Sequence, residues 1–132
     1  MNQPQLPQPT DGELAILSVL WKRGPSTVRQ VRDALDRARP TGYTTVLKLM
    51  QIMHEKGLLT RDESQRSHVY EPALAQEQTQ GQLVRDLLDK AFGGSAHKLV
   101  MHALSVKHAS AAELAEIRRL LDNAEGVRDV GD

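Results

Sequence analysis

The chain has 132 residues, which is enough for one domain or for one small domain with an appended element. Its one Trp, two Tyr and one Phe leave aliphatic side chains to fill the core, and its lack of cysteine excludes disulfides, thiolate metal sites and cysteine nucleophiles. Seventeen Lys and Arg residues balance seventeen Asp and Glu residues, so the net charge gives no global signature of a nucleic-acid-binding protein.

The charge is distributed slightly unevenly along the chain. Residues 1–72 contain ten Lys and Arg against eight Asp and Glu, a net of +2, and residues 73–132 contain seven against nine, a net of −2. No apolar run approaches the roughly 20 residues that a membrane span needs, and no basic amino end leads into an apolar stretch. We therefore expect a cytoplasmic protein.

The first predicted helix follows a Gln- and Pro-rich stretch, residues 1–9, which we expect to be a flexible amino-terminal arm. Thr10 and Glu13 have the spacing of a capping box, in which each side chain bonds the backbone amide of the other residue. The sequence Arg-Gly-Pro at 23–25 is expected to end this helix. Its apolar stripe consists of Leu14, Ile16, Leu17, Leu20 and Trp21.

A second, shorter helix is predicted to begin after Ser26, which is the expected N-cap. Its apolar line is formed by Val28, Val31 and Leu35. The segment 37–42 that follows is typical of a turn, because Pro40 disfavours the helical conformation at the residue before it.

The third predicted helix, within residues 42–57, has two contrasting faces. Its buried face is predicted from the i, i+3, i+4, i+7 spacing of Val46, Leu49, Met50 and Met53. The opposite face carries Thr44, Lys48, Gln51 and Glu55. Gly57 is the expected helix stop.

Two short strands are predicted at 58–62 and 67–71, joined by the polar sequence ESQR and followed by Pro72. Three helices followed by a two-stranded hairpin are typical of a winged helix-turn-helix. The predicted fold is therefore mainly α, with a winged helix-turn-helix domain at 10–72 followed by a helical dimerisation arm.

The carboxyl half contains three further amphipathic segments, interrupted by FGGS at 92–95 and by a second capping box at 110–113. Their apolar stripes are too broad to be buried within so small a unit, so we expect residues 73–125 to form a dimer interface and residues 126–132 a frayed tail. The predicted interface residues are Leu83, Val84, Leu87, Leu88, Val100, Leu104, Leu114, Ile117 and Leu121.

No catalytic motif is present, so we expect neither an enzyme nor a small-molecule substrate, and no metal or other cofactor. His54-Glu55 lacks the second histidine of a zinc-protease motif, because Leu58 stands at that position. Gly93-Gly94 has neither the preceding strand nor the following Lys-Ser/Thr of a phosphate loop, so it is interpreted as a helix break. Three further histidines have spacings that favour solvated surface positions over zinc ligation, namely His97, His102 and His108.

The outer face of the third helix has the side chains that a helix in the major groove of DNA needs. Short hydroxyl- and methyl-bearing threonines allow close approach to base edges, and flanking cations contact phosphates. The predicted DNA-binding residues are Tyr43, Thr44, Thr45, Lys48 and Gln51 on this helix and Arg61, Arg66 and His68 on the hairpin. The alternative is a plain polar helix face, with Arg61 and Arg66 merely offsetting Asp62 and Glu63.

Several ordered segments resemble the penicillinase-repressor (BlaI/MecI-type) family over about residues 10–123. They are TDGELAILSVLWKRGPSTVRQV, YTTVLKLMQIMHEKGLLTR, RSHVYEP, QLVRDLLDKAFGGSAHKLVMHAL and AELAEIRRLLD. The resemblance implies a homodimeric repressor that binds double-stranded operator DNA at an inverted repeat with TACA/TGTA-like half-sites. It also implies base contacts at Thr44 and Thr45, with Lys48 one turn further along.

In staphylococcal members a lysine stands at the position of Thr44, so the half-site preference is left open. Those members are released when a membrane metalloprotease sensor leads to cleavage between Asn and Phe in the arm. The matching pair here is His102-Ala103, so the scissile residues differ. Copper-responsive relatives use a carboxyl-terminal cysteine cluster, which this chain lacks.

Two alternatives to a protease-released repressor remain. One is a winged-helix repressor that a small ligand releases from DNA, with a pocket among the carboxyl helices. The other is an interaction adaptor whose winged helix binds protein and does not bind DNA.

Overall fold

The computed structural model describes the backbone of residues 8–131 and the side chains of residues 8–125. Most of the predicted arm, 1–7, and the side chains of the predicted tail, 126–132, lie outside the described residues. Two compact units are formed, the first ending at Arg85 and the second beginning at Asp86. The elements are α1 Asp11–Arg23, α2 Val28–Asp36, α3 Tyr43–Lys56, β1 Leu59–Asp62, β2 Val69–Pro72, α4 Gln76–Ala91, α5 Ala96–Val106 and α6 Ala111–Gly131.

Helix α1 begins at the predicted capping box, which is confirmed. The Glu13 amide donates to Thr10 Oγ1 at 3.2 Å, and the Thr10 amide donates to Glu13 Oε1 at 3.0 Å. Gly24, at φ 96°, ends the helix with its amide bonded to the Leu20 carbonyl. Such a cap contributes about 1 kcal/mol to stability.

The Glu13 carboxylate also connects α1 to α3. It is only 2% exposed, and its Oε2 accepts a hydrogen bond from Lys56 Nζ at 2.8 Å, in the last turn of α3. Burial opposes ionisation of this group, but the bonds from Lys56 and Thr10 outweigh burial and lower the pKa of the Glu13 carboxyl. The start of α1 is thereby held against the end of α3.

Helix α2 begins one residue later than expected. Thr27, and not Ser26, is the N-cap, and it forms a second complete capping box with Gln30. Ser26 is fully buried, and its amide and carbonyl both bond the backbone of Tyr70, at 3.0 and 2.8 Å. The prediction for Ser26 was wrong because this residue pairs with the hairpin.

The hairpin confirms the predicted wing, with antiparallel pairing of Leu59 with Pro72 and of Asp62 with Val69. Strand β1 starts one residue later than predicted because Leu58 belongs to the helix stop. Gly57 is left-handed at φ 86°, and the Leu58 amide donates to the Met53 carbonyl at 2.9 Å. Strand β2 is shifted to 69–72 and includes Pro72, which lies at its end, where a missing amide donor is tolerated.

The core of the first unit draws on α1, α2, α3 and both strands, in agreement with the predicted stripes. Leu14, Trp21, Leu35 and Leu49 are partly buried against it. The fully buried apolar residues are Ile16, Leu17, Leu20, Val28, Val31, Val46, Met50, Met53, Leu58, Leu59 and Tyr70. This core fixes which face of α3 remains outside.

The second unit has no comparable core in a single chain. Helix α5 contains no buried residue, and its Met101 and Val106 are 58% and 83% exposed. The predicted break after α4 is confirmed, with Gly93 and Gly94 at φ 56° and 80°, and so is the capping box of α6. Among the described residues, none of the helices combines the length and the apolarity that crossing a membrane requires.

We predict that Glu13→Gln lowers the free energy of unfolding at pH 7 by about 1–2 kcal/mol, because the capping bond survives while the charged bond to Lys56 is lost. The lowered pKa means that the unfolded chain binds more protons than the folded chain. The contribution of Glu13 is therefore complete above the unfolded value, about 4.3, and is lost as the pH falls through the folded value. Urea titrations at several pH values measure this difference.

The matched control is Glu113→Gln, which changes the exposed capping box of α6 and has no lysine partner among the described contacts. It should have little effect at either pH. Equal stability of wild type and Glu13→Gln at pH 7, or a difference that persists unchanged in acid, would contradict the role assigned to the Lys56 bond.

Candidate nucleic-acid interface

The outer face of α3 is exposed along the helix, as its periodicity predicts. Its exposed residues are Thr44, Thr45, Lys48, Gln51 and Glu55. On the opposite side, Val46, Met50 and Met53 are at most 1% exposed. The core therefore accounts for one face of this helix and leaves the other free for a partner.

The amino end of α3 differs from those of α1 and α2. Its N-cap is Gly42, which provides no side-chain cap, whereas α1 and α2 both have complete capping boxes. The first-turn amides of α3 thus have no capping side chain, and they lie at the positive end of the helix dipole. Gly42, Thr44 and Thr45 are also small, which allows a bound molecule to approach the backbone closely.

The turn that leads into α3 is fixed by bonds from α2. Arg32 Nε donates to the Thr41 carbonyl at 3.1 Å, and the Thr41 amide donates to Asp36 Oδ1 at 2.9 Å. The Thr41 hydroxyl donates to the Arg39 carbonyl at 2.9 Å. These bonds set the position of the exposed amino end of α3 relative to α2.

A concave pocket of about 390 Å³, here called the wing cleft, lies between the start of α2, one side of α3 and the hairpin. It is lined by Thr27, Val28, Arg29, Tyr43, Leu47, Gln51, Arg61, Arg66, Ser67, His68 and Tyr70. Three arginines and one histidine belong to this lining, and no carboxylate does. An anionic ligand would therefore meet cations and neutral donors there.

The structure divides the eight predicted DNA-binding residues into two groups. Five line the wing cleft, namely Tyr43, Gln51, Arg61, Arg66 and His68. Thr44, Thr45 and Lys48 lie outside the cleft on the open face of α3. Gln51 is exposed and follows Lys48 by about one turn, so it lies where the two surfaces meet.

Arg29 was not included among the predicted site residues, although it lines the cleft. From the sequence it is one of several polar residues on the outer face of α2. No local pattern distinguishes it from Arg32, which instead pairs with Asp33 at 3.0 Å. Only the packing of α2 beside the hairpin brings Arg29 next to Arg66 and His68.

The two arginines of the hairpin have different surroundings. The side chain of Arg61 is 22% exposed, bonds Glu63 Oε2 through Nε at 2.7 Å and Nη2 at 2.5 Å, and lies 6.0 Å from the centre of the Tyr70 ring. Hydrogen bonding with Tyr70 and then with Glu63 raises the pKa of Arg61. Arg66 is exposed, with no hydrogen bond or ion pair to any described residue. The alternative in which a hairpin arginine offsets a neighbouring carboxylate therefore fits Arg61 and does not fit Arg66.

The nine residues predicted for dimerisation all remain at least partly exposed in the single chain. Leu87, Val100 and Leu121 are 46%, 47% and 61% exposed. Exposed apolar side chains at this density are typical of surfaces that bind a partner.

The predicted cleavage pair, His102-Ala103, lies inside helix α5, where the His102 ring contacts Phe92 with 5.7 Å between ring centres. Neither His102 nor the other histidines of this region belong to a metal-binding arrangement. Among the described side chains, no group of three or more His, Asp or Glu residues is placed to hold a metal ion.

Comparison with known proteins gives consistent matches along most of the chain. The model of the family described as penicillinase repressor matches residues 9–123. A transcriptional regulator BlaI of Mycobacterium tuberculosis is 34% identical over 117 residues, covering 87% of this chain and 83% of the relative. A penicillinase repressor of Bacillus licheniformis is 22% identical over 118 residues, covering 89% and 92%. The solution structure of the DNA-binding domain of the repressor BlaI matches with a TM-score of 0.50 at 24% identity, covering 56% of this chain and 90% of that domain, and supports the winged-helix fold.

Proposed function

This chain belongs to the penicillinase repressor family, and we propose that it is a dimeric transcriptional repressor that binds an inverted-repeat operator. The observation that carries the proposal is the combination, within one unit, of an exposed and uncapped start of α3 with a wing cleft that lacks carboxylates. Membership in a family of repressors also agrees with the expectation that the chain is a regulator and not an enzyme.

In this proposal the open face of α3 enters the major groove. Thr44 and Thr45 offer hydroxyl groups to base edges and methyl groups to thymine, and Lys48 offers a cation to guanine acceptors or to a phosphate. The small residues at the helix start permit the close approach that these short side chains need. The TACA/TGTA-like half-site comes from the family resemblance and is part of the proposal.

The wing cleft is proposed to receive the sugar–phosphate backbone beside that groove. Arg29 and Arg66 supply charge, and Tyr43, Gln51 and His68 supply hydrogen-bond donors. Contacts of this kind fix the position of a protein on DNA and make its affinity fall with salt. They account for affinity, while the open face of α3 accounts for sequence preference.

Dimerisation is proposed to occur through the carboxyl helices. A helix with apolar residues on all sides is normally surrounded by protein, and α5 has exposed Val100, Met101, Leu104 and Val106 at angles that cover most of its circumference. Each good base contact contributes only about 1–3 kcal/mol, so one reading helix discriminates poorly. Two helices held about 34 Å apart engage two half-sites together.

Release from DNA by proteolysis, which the resemblance implies through a membrane metalloprotease sensor, is a further part of the proposal. The pair His102-Ala103 lies within α5, so a protease would act on it only after local opening of that helix. A cut at this point would separate the end of α5 and α6 from α4 and would remove half of the proposed interface.

We predict that Lys48→Ala and Thr44→Val each weaken binding to an inverted-repeat duplex by about 5- to 150-fold, the range that corresponds to one good base contact. Thr44→Val keeps the shape of the side chain and removes only the hydroxyl. Fluorescence anisotropy with the TACA/TGTA repeat and with a scrambled duplex, at two salt concentrations, measures both affinity and preference.

Lys22→Ala is the control, since Lys22 is an exposed lysine in the last turn of α1, away from α3 and the cleft. It should bind as the wild type does. If the wild type binds both duplexes equally and weakly, the half-site is wrong; if it binds neither while remaining dimeric, the adaptor alternative replaces the repressor.

We predict that Leu87→Asp converts the protein to a monomer and abolishes tight operator binding, because a carboxylate would be buried in the proposed apolar interface. Sedimentation velocity measures the oligomeric state, and anisotropy measures the affinity. Arg85→Asp, on the opposite face of α4, is the control and should sediment as the wild type does. A dimeric Leu87→Asp protein, or one with full operator affinity, would contradict the assignment of the arm.

A further inference from the structure

The two arginines of the hairpin, Arg61 and Arg66, carry the same charge but are not equivalent. Arg61 is bonded twice to Glu63 and packs over the buried Tyr70 ring, whereas Arg66 has no partner among the described residues. A cation that is already paired at 2.5 Å has to break that pair before it binds a phosphate. A free cation does not, so the two residues are expected to contribute to DNA binding in different ways.

Arg61 lies in the middle of a continuous series of contacts. Glu63 belongs to the hairpin turn, Arg61 is paired directly opposite Tyr70 across the two strands, and Tyr70 is bonded through both backbone groups to Ser26. The series therefore runs from the turn, through the base of the hairpin, to the segment that connects α1 with α2. Arg61 is the only side chain in the series that contacts both the turn and the buried ring, as far as the described contacts extend.

The hairpin needs such a connection because two short strands are marginally stable by themselves. Strands β1 and β2 have four residues each, and the turn between them contains one further side-chain bond, from the Ser64 amide to Asp62 Oδ1 at 2.9 Å. Without the bonds to Glu63, little would determine where the turn and Arg66 lie relative to α3.

We infer that Arg61 is a positioning residue: it fixes the hairpin turn so that Arg66 faces the DNA backbone, and it does not itself bind a phosphate. The inference rests on the proposed DNA-binding function and assigns different roles to the two arginines within it. Glu63, an acidic residue close to the proposed DNA surface, then favours DNA binding because it holds Arg61.

Glu63→Gln tests this assignment through the sign of its effect. Removing a carboxylate near DNA normally strengthens binding, by reducing repulsion of the phosphates. If Arg61 positions the turn, the substitution instead weakens binding to the inverted repeat by about two- to fivefold, the range expected for the loss of one exposed ion pair. Tighter binding by Glu63→Gln would overturn the inference, since it would show that the released Arg61 contacts phosphate.

The dependence of affinity on salt distinguishes the two arginines directly. Arg66→Ala should lower the slope of log affinity against log salt by about one, the loss of one phosphate contact. Arg61→Ala should weaken binding by about two- to fivefold with the slope unchanged. A slope that also falls by about one for Arg61→Ala would overturn the inference.

A double-mutant cycle separates positioning from a general effect on the fold. If Arg61 acts through Arg66, then Arg61→Ala weakens binding in the wild type and has no further effect in the Arg66→Ala protein. Effects that multiply independently would contradict this dependence. Circular dichroism at the assay temperature confirms that each variant is folded before its affinity is compared.

Amide hydrogen exchange of the DNA-free protein tests the same series of contacts independently of the proposed function. The amides of β1 and β2 should exchange faster in Arg61→Ala and in Glu63→Gln than in the wild type, while Arg66→Ala should leave them unchanged. Unchanged exchange in all three variants would overturn the inference. A wild-type protein that binds no duplex would overturn the proposed function instead, and the exchange result would still decide whether Arg61 holds the hairpin.

Discussion

The position of the wing depends on one residue, Tyr70. Its ring is buried in the core of the first unit, its backbone pairs with Arg61 on one side, and it pairs with Ser26 on the other. A hairpin of this size would be marginally stable alone, but Tyr70 makes it part of the helical core. Because Ser26 immediately precedes the N-cap of α2, the same bridge brings the start of α2 beside the hairpin. The wing cleft, with Arg29 on one wall and Arg66 and His68 on the other, follows from that placement.

The electrostatic character of the proposed DNA surface arises from how charges are paired, since the chain is formally neutral. Several carboxylates of the first unit are engaged within it: Glu13 with Lys56, Asp33 with Arg32, Asp36 with the Thr41 amide and Glu63 with Arg61. Lys48, Arg29 and Arg66 have no carboxylate partner among the described residues. A balance of charges over the whole sequence therefore conceals a local excess of positive charge, which the screening length of about 10 Å at 0.1 M salt allows a nearby phosphate to sense.

Local sequence patterns predicted the helices, the faces of α3 and the capping boxes at Thr10 and Ser110, because each depends on residues a few positions apart. They failed where a distant segment decides the local structure. Ser26 was assigned as an N-cap, but its backbone pairs with Tyr70, 44 positions along the chain. Arg29 entered the site, and Arg61 found its partners, through the register and docking of the hairpin. The roles of the individual side chains in DNA binding depend on a complex with DNA, so they remain predictions.

Helix α5 has a consequence for how long the protein survives in a cell. It has no buried residue in a single chain, so its folded state gains little from burial before a partner covers it. If the proposed dimer forms, association and folding of the arm are coupled, and the folded fraction rises with protein concentration. A protomer without a partner would expose apolar, easily opened helices to general proteases. Scarce repressor would then be degraded faster than abundant repressor, so turnover would sharpen the difference between a cell that represses its operator and one that does not.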